Sequence, residues 1–253
     1  MSNVLVTGGG RGLGLALVRQ LVDDSSIAKL FVTTRGSLPA ELGAIIDTSG
    51  KKVIHIKCEV VETASVRRAA AEVEEKLEGE GLDVLINNIG SMPVTPEGIH
   101  TMDAEELLQV FDVNVVAAHR VTAALIPSLK RGKEKKVIMV SSSLGSVAWA
   151  DRYRWSPVYA YKITKAAMSM LTVQYAMEYK KEGFTFLALS PGWLKTDMGS
   201  DKADLDVATG AKAVKDLVDK ADTSYNGKFY NILVSGWEHA EGINQYDGLE
   251  IAW

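Results

Sequence analysis

The sequence lacks the features by which secreted, membrane and nucleic-acid-binding proteins are recognised. Its one cysteine, Cys58, can form no disulfide within the chain of 253 residues. No uninterrupted apolar run reaches the roughly eighteen residues that a membrane-spanning helix needs. The formal net charge of −4 argues against nucleic acid as a partner, because phosphate neutralisation needs clustered lysine and arginine. We therefore expect a protein of a reducing compartment with neither a nucleic-acid nor a membrane partner.

Targeting segments and linkers are also missing. Met1-Ser2-Asn3 leads directly into an apolar run, and no positively charged region or signal-type cleavage site precedes that run. We expect a cytoplasmic protein. The hydrophobic content of 47% and charged content of 24% are typical of a globular chain, and no repeat or low-complexity tract divides it. A single domain over residues 1–253 is expected, because α/β folds reach this size as one unit.

Short apolar runs alternate with longer segments of helical periodicity. The predicted strands lie at 4–6, 30–32, 53–56, 82–86, 137–140, 184–189 and 229–234, and the predicted helices at 13–22, after Pro39, and at 63–77, 104–129, 159–179 and 208–218. Strands that alternate with helices form parallel βαβ units. The expected fold class is α/β: a Rossmann-type, doubly wound, mostly parallel seven-stranded sheet with helices on both faces.

A glycine cluster, Thr7–Gly14, lies between the first predicted strand and the first predicted helix. Glycines let the backbone approach a pyrophosphate, and the helix that follows offers free N–H groups at its N-terminus. The GxxxGxG spacing of Gly8, Gly12 and Gly14 is by itself also compatible with a structural turn. Its position between strand and helix indicates a dinucleotide site. A P-loop is excluded because no GK[ST] follows.

Tyr161 and Lys165 are four residues apart in a predicted helix, so their side chains project from one face. An ammonium near a phenol favours the phenolate and lowers the pKa of the tyrosine, which makes it a usable general acid or base. Such a pair also occurs by chance. Upstream, however, a predicted buried strand ends in Ser141-Ser142-Ser143-Leu144-Gly145, and open α/β sheets bind ligands at the carboxyl ends of their strands.

In these segments the chain resembles the short-chain dehydrogenases/reductases along nearly its whole length. The end of the chain and the segment around Pro191 resemble more narrowly the sniffer/C-factor group of carbonyl reductases. The matching segments are Thr7–Gly14, Asn87-Asn88-Ile89-Gly90, Asn114, Ser141–Ser143, Tyr161xxxLys165, Pro191–Gly199 and Tyr246-Asp247-Gly248…Trp253. The resemblance implies an oxidoreductase that uses a nicotinamide cofactor on a small carbonyl or alcohol substrate, assembled as a homodimer or homotetramer.

The resemblance also implies four catalytic residues. Tyr161 would donate a proton to the carbonyl oxygen of a substrate, and Ser142 would hydrogen-bond that oxygen. Lys165 would hold the nicotinamide ribose and lower the pKa of Tyr161, and Asn114 would hold a water in the proton relay. Ser142 is preferred among the three serines because the serine of the family usually stands three residues before a glycine, here Gly145. Ser143 is the alternative.

The cofactor would lie along several loops. By this resemblance, Asn88 to Gly90 would line the adenine ribose, and Leu194 and Thr196 would contact the nicotinamide carboxamide. The cofactor-binding residues that the resemblance implies are Gly8, Arg11, Gly12, Leu13, Gly14, Thr34, Arg35, Glu59, Val60, Asn88, Ile89, Gly90, Tyr161, Lys165, Pro191, Gly192, Leu194 and Thr196.

Three positions depart from the family pattern. Ile89 replaces the usual alanine, which predicts a slightly crowded ribose. Glu59 stands where an aspartate usually contacts adenine, and its side chain is longer by one methylene group. Ser142 and Tyr161 are 19 residues apart (161 − 142), more than the common dozen or so. The additional segment, Ser146–Pro157, is either an aromatic-capped surface loop or a wall of the substrate pocket. The candidate substrate-binding residues are Met92, Trp149, Tyr153, Trp155 and Trp193.

The residues after the second predicted strand indicate which nicotinamide cofactor binds. NAD enzymes of this class carry an acidic residue there for the 2′-hydroxyl, whereas this chain reads Val32-Thr33-Thr34-Arg35. Arg35 can present its guanidinium fork to a 2′-phosphate, and Arg11 can approach from the glycine cluster. Either arginine alone could be a surface charge. Together with the missing acid they predict NADP(H).

Other chemistries find no support in the sequence. The four histidines show no metal-binding spacing, so no metal site is expected, and no GxSxG motif indicates a hydrolase. The sequence therefore predicts an NADPH-dependent reductase of aldehydes or ketones. Two alternatives stay open: a ketoreductase or alcohol dehydrogenase dedicated to a biosynthetic pathway, and a regulatory protein that binds NADP(H) with little turnover.

Overall fold

The framework of the molecule is a seven-stranded sheet, and the computed structural model describes all 253 residues. The strand order is β3-β2-β1-β4-β5-β6-β7, and every neighbouring pair is parallel. The strands are β1 (Ser2–Thr7), β2 (Ile27–Thr34), β3 (Val53–Lys57), β4 (Val84–Asn87), β5 (Lys136–Val140), β6 (Thr185–Ser190) and β7 (Lys228–Asn231). The predicted α/β, doubly wound, seven-stranded fold is confirmed.

Helices cover both faces of this sheet. The helices are α1 (Gly12–Val22), α2 (Ala40–Thr48), α3 (Thr63–Leu77), α4 (Ala104–Phe111), α5 (Ala117–Arg131), α6 (Tyr159–Glu178) and α7 (Val207–Lys220). Buried side chains of α1, α2 and α7 share one hydrophobic core, and those of α3, α5 and α6 share the other.

Alternate residues of each strand enter these two cores. Val4 and Val6 pack with α1 and α7, whereas Leu5 packs against α3 and α5. In β5, Ile138 faces the first core and Met139 the second. A strand that is buried on both faces has little use for polar residues, so it reads as a continuous apolar run. That is why the strands are visible in the sequence.

Some boundaries differ from the prediction. β2 begins at Ile27, three residues before the predicted start at Leu30. β7 ends at Asn231 rather than at Val234, because the residues after Asn231 leave the sheet and pair with the C-terminal segment. There, antiparallel bridges join Leu233 to Asp247 and Tyr230 to Glu250. The C-terminal segment thus covers the outer edge of β7, which would otherwise offer unpaired backbone groups.

The long predicted helix at 104–129 contains a local irregularity. A π-helical turn, Asp112–Val116, separates α4 from α5, and Asn114 lies within it. Taken as one helix, Ala104–Arg131 is long and apolar enough to span a membrane, with a mean hydropathy of 1.2 over its most apolar window. Half of that window is buried in the fold, and buried core helices pass the same test.

Cys58 provides a test of how closed the second core is. Its side chain is only 3% exposed, and burial, helped by Glu59, raises the pKa of the thiol from 9.0 to about 11. At about pH 8 such a shift leaves about a hundredfold less thiolate, the reactive form. We expect the native protein to react with a thiol-specific disulfide reagent at least a hundredfold more slowly than the protein unfolded in guanidinium. Rates within a few-fold of each other would contradict the packing around Cys58.

Candidate active site

Four loops meet where the parallel strands end. They follow β1, β4, β5 and β6, whose carboxyl ends lie along one edge of the sheet. Between β1 and β4 the strand order reverses, since β2 and β3 lie on one side of β1 and β4 to β7 on the other. Open α/β sheets form their ligand crevice at such a reversal. The predicted site residues therefore converge on this edge.

The glycine cluster forms a tight turn at the start of α1. Gly8 and Gly12 have φ angles of +69° and +53°, a region that side chains disfavour. A Cβ on Gly14 would lie 2.2 Å from the carbonyl oxygen of Gly8, so only glycine fits there. Arg11 precedes α1 and makes no side-chain capping bond, which leaves the first N–H groups of the helix available. The glycine turn, which has no side chains at Gly8, Gly12 and Gly14, and the uncapped N–H groups of α1 fit the pyrophosphate of a dinucleotide.

The loop after β4 is tied to this turn. The Asn88 side chain donates to the carbonyl oxygen of Thr7 at 3.0 Å, and its backbone N–H donates to Thr7 Oγ1 at 2.9 Å. Ile89 lies over Gly8, where an added Cβ would come within 2.8 Å of Ile89 Cγ1. The isoleucine that departs from the family pattern therefore packs on the glycine turn.

Ser142 and Tyr161 meet at the end of β5. Tyr161, near the start of α6, is 7% exposed; burial raises the pKa of its phenol to about 12, and the nearby Ser142 hydroxyl opposes that rise. Ser143 instead donates its backbone N–H to Ser190 Oγ, and the Ser141 hydroxyl is buried without a partner. Of the three serines, Ser142 is thus the one whose hydroxyl affects the pKa of the tyrosine.

Lys165 lies one turn further along α6. Its Nζ donates to the carbonyl oxygen of Val140 at 2.7 Å and lies 5.4 Å from the centroid of the Tyr161 ring. Burial lowers the pKa of Lys165 to about 7. The expected lowering of the Tyr161 pKa is wrong for this structure, since burial acts in the opposite direction. The Lys165 ammonium donates its hydrogen bond to Val140 and not to the Tyr161 hydroxyl. Burial also disfavours its charged form, which weakens its effect on the pKa of Tyr161.

Asn114 connects the loop after β4 with α6. Its Nδ2 donates to the Ser91 carbonyl oxygen and to Thr164 Oγ1, each at 2.9 Å, and its Oδ1 accepts from the Ser91 N–H at 2.7 Å. A Cβ on Gly90 would lie 3.6 Å from Asn114 Oδ1 and 3.7 Å from Lys165 Nζ. Gly90 therefore leaves space beside both predicted catalytic side chains. The contacts of Ser91 and Thr164 were not foreseen, although Thr164 lies three residues after Tyr161.

The two arginines that favour NADP(H) lie in different settings. Arg35 follows β2 and is exposed, next to Thr34, whose hydroxyl bonds His55 Nε2 at 2.7 Å. Arg11 pairs with Asp197 at 3.1 Å, and both side chains are at least 80% exposed. This ion pair joins the glycine turn to the loop after β6. An exposed pair of this kind is weak, so the Arg11 guanidinium can exchange partners.

The loop after β6 lies beside the glycine turn. Leu194 is buried and pairs with Leu205, and Thr196 Cγ2 would lie 3.6 Å from a Cβ on Gly12. Pro191 and Gly192 lead from β6 into this loop, and Gly192 has a φ of +83°. Glu59 and Val60, by contrast, follow β3 on the far side of β2.

The candidate substrate residues divide into two groups. Trp155, which is 54% exposed, lies against Trp193 with 6.3 Å between ring centroids. Met92 is half-buried beside Ser91 in the loop after β4. Trp149 instead packs against a small cluster of β6, β7 and the C-terminal segment, and Tyr153 is buried. The segment 146–157 is thus partly packed support and partly, at Trp155, an exposed aromatic wall.

Comparison with known proteins agrees with this geometry. A family model described as short chain dehydrogenase matches residues 2–206. A curated relative, the short-chain dehydrogenase/reductase atnB of Arthrinium sp, is 33% identical over 213 residues, which cover 80% of this chain and 78% of the relative.

Several solved structures match the entire chain. The NADPH-bound carbonyl reductase from chicken fatty liver has a TM-score of 0.87 and 28% identity, covering 100% of this chain and 99% of that one. The carbonyl reductase Sniffer of D. melanogaster has a TM-score of 0.86 and 28% identity, covering 100% of both chains. The fold, the glycine turn before α1 and these matches lead to one conclusion: the chain belongs to the short-chain dehydrogenase family.

Proposed function

We propose that this oxidoreductase is an NADPH-dependent reductase that transfers a hydride to the carbonyl carbon of an aldehyde or ketone, with Tyr161 as the proton donor. The observation that carries the proposal is a buried, protonated Tyr161 at the carboxyl edge of the sheet, with the Ser142 hydroxyl nearby and Lys165 Nζ 5.4 Å from the centroid of its ring. The NADPH-bound chicken carbonyl reductase supports it by similarity. A cytoplasmic location is part of the same proposal, in keeping with the free, buried Cys58.

The residues around the crevice fit the cofactor. The glycine turn and the N-terminus of α1 would hold the pyrophosphate, and Arg35 with Arg11 would hold the 2′-phosphate. NADPH, when bound, supplies the hydride. Leu194 and Thr196, in the loop beside the glycine turn, would contact the nicotinamide end, and Lys165 would hold its ribose.

Tyr161 carries its proton at neutral pH. A phenol with a pKa of about 12 keeps its proton at neutral pH, so it can act as an acid toward the substrate oxygen. The proton passes from Tyr161 Oη to that oxygen, and the substrate leaves as an alcohol. Ser142 would orient the oxygen by a hydrogen bond. The phenolate left on Tyr161 would be stabilised by the partly charged Lys165 and reprotonated from solvent through a water that Asn114 holds.

Replacing Tyr161 tests the proton donor. Tyr161→Phe keeps the ring packing and removes the hydroxyl, so we expect turnover to fall by about 10²–10⁴ while the NADPH dissociation constant changes little. Tyr159→Phe is the control, because the residue four positions later is Ile163 and not a lysine. Steady-state rates with a reactive aldehyde measure both. If Tyr161→Phe kept more than about a tenth of the wild-type turnover, the site would be wrongly assigned.

The cofactor preference can be measured directly by titration. We expect NADPH to bind at least about tenfold more tightly than NADH, because charge-assisted contacts to the 2′-phosphate exceed this difference. Arg35→Asp should remove or reverse the preference. The control Lys181→Asp makes the same change in charge in the exposed turn before β6. This turn lies at the amino ends of the strands, away from the crevice, so the variant should keep the preference for NADPH. Equal dissociation constants for the two cofactors in the wild type would refute the assignment.

The outer face of α6 supports a homodimer or homotetramer. Ile163, Met170 and Met177 are spaced seven residues apart and are 41%, 61% and 68% exposed. This spacing places them on one face of the helix, and Leu108 of the neighbouring α4 is 64% exposed. A row of exposed apolar side chains of this kind is typical of a surface that a second copy covers.

Light scattering tests this assembly. We expect at least twice the chain mass at micromolar concentration, and the double variant Met170→Glu with Met177→Glu should return one chain mass, because it places charge in the interface. Leu249→Glu changes an equally exposed residue, 63%, outside α6 and should have no effect. A wild-type protein of one chain mass would contradict the assembly.

A further inference from the structure

Three hydrogen-bonded side chains join the loop after β6 to the C-terminal segment. Asp204 Oδ2 accepts from Tyr246 Oη at 2.5 Å and from Asn244 Nδ2 at 2.7 Å. We call Asp204, Asn244 and Tyr246 the loop clasp. Hydrogen bonds to a carboxylate are stronger than those between neutral groups. Tyr246 is 3% exposed, and burial together with Asp204 raises the pKa of its phenol, so the hydroxyl remains a donor.

The clasp holds both ends of the loop after β6. Tyr246 Oη accepts from the backbone N–H of Trp193 at 3.1 Å, and the Tyr246 ring lies against Gly192, where a Cβ would be 3.1 Å from Tyr246 Cε1. Next to Asp204, Leu205 exchanges backbone hydrogen bonds with Trp193 and Lys195 at 3.1 and 2.9 Å. Both backbone groups of Trp193 are therefore bonded: its N–H donates to Tyr246 and its carbonyl oxygen accepts from Leu205.

The clasp also reaches the loop after β5. Tyr153 Oη donates to Asn244 Oδ1 at 3.3 Å, and the neighbouring Arg152 bonds the side chain of Gln245. Tyr153 is buried two residues before Trp155, whose ring lies against that of Trp193. The aromatic wall of the site is thus built from two loops that the same three side chains hold together.

We propose that Tyr246 and Asp204 are positioning residues that fix the Trp155–Trp193 wall and so determine a preference for large, aromatic carbonyl substrates over small aliphatic ones. This inference rests on the proposed reductase function. A bulky apolar substrate binds more tightly to a wall that is already ordered, because no free energy is lost in ordering the tryptophan side chains and their loops on binding. A small aldehyde has little apolar surface to bury against such a wall. Loss of the clasp should therefore affect the two substrates differently.

Kinetics with two substrates tests the proposal. Tyr246→Phe keeps the ring against Gly192 and removes the hydroxyl that bonds Asp204 and Trp193. We expect kcat/KM for an aromatic ketone to fall about tenfold, mainly through KM, and that for acetaldehyde to change less than about twofold. Asp204→Asn should give the same pattern and add little to Tyr246→Phe, because both act on one contact. Tyr225→Phe is the control, since the Tyr225 ring packs at a tilt against that of Tyr230, outside the clasp.

Acrylamide quenching of tryptophan fluorescence gives a second readout that does not depend on turnover. The Trp193 contribution, taken as the difference from a Trp193→Phe background, should become more accessible in Tyr246→Phe and in Asp204→Asn. Equal losses of kcat/KM for both substrates, or unchanged tryptophan quenching in both variants, would overturn the proposed role of Tyr246 and Asp204. A wild type that reduces neither substrate with NADPH would instead overturn the proposed function. If Tyr246→Phe does not fold, Asp204→Asn, which keeps the side-chain shape, decides the question.

Discussion

The reversal of strand order between β1 and β4 is the constraint on which the rest of the site depends. The connections from these two strands leave in opposite directions along the sheet, so a crevice opens where they part. Polar groups at the crevice must then bond one another, as Asn88 does with Thr7. The glycine turn places the N-terminus of α1 at the same point. Fold and cofactor cradle are therefore consequences of one topology.

Burial controls the chemistry of the residues on α6. Tyr161 and Lys165 lie in a region that excludes water, and desolvation favours the neutral form of each: it raises the pKa of the phenol and lowers that of the ammonium. A protonated tyrosine near a serine hydroxyl is the arrangement that the proposed proton transfer to a carbonyl oxygen requires. A regulatory protein that only bound the cofactor would have no use for such a buried donor, which favours the enzymatic interpretation over that alternative.

The sequence predicts those parts of the molecule in which local pattern and structure coincide. Strands buried on both faces read as apolar runs, whereas the choice of Ser142 rests on the family pattern of a serine three residues before a glycine and stays a prediction. The π turn around Asn114 has no signature in the periodicity of the helix. The direction of the Tyr161 pKa depends on burial by distant elements. The Asp204–Tyr246 pair joins residues more than forty positions apart in loops without periodicity, so only the folded structure reveals it.

Single-turnover oxidation of bound NADPH tests the central claim most directly. The protein, saturated with NADPH, is mixed with a reactive quinone or dialdehyde, and loss of the reduced nicotinamide is followed together with formation of the alcohol. The account predicts stoichiometric oxidation that is fast in the wild type and slowed by about 10²–10⁴ in Tyr161→Phe. NADPH that binds tightly yet stays reduced in the presence of each carbonyl compound would contradict it and indicate a cofactor-binding protein without this chemistry.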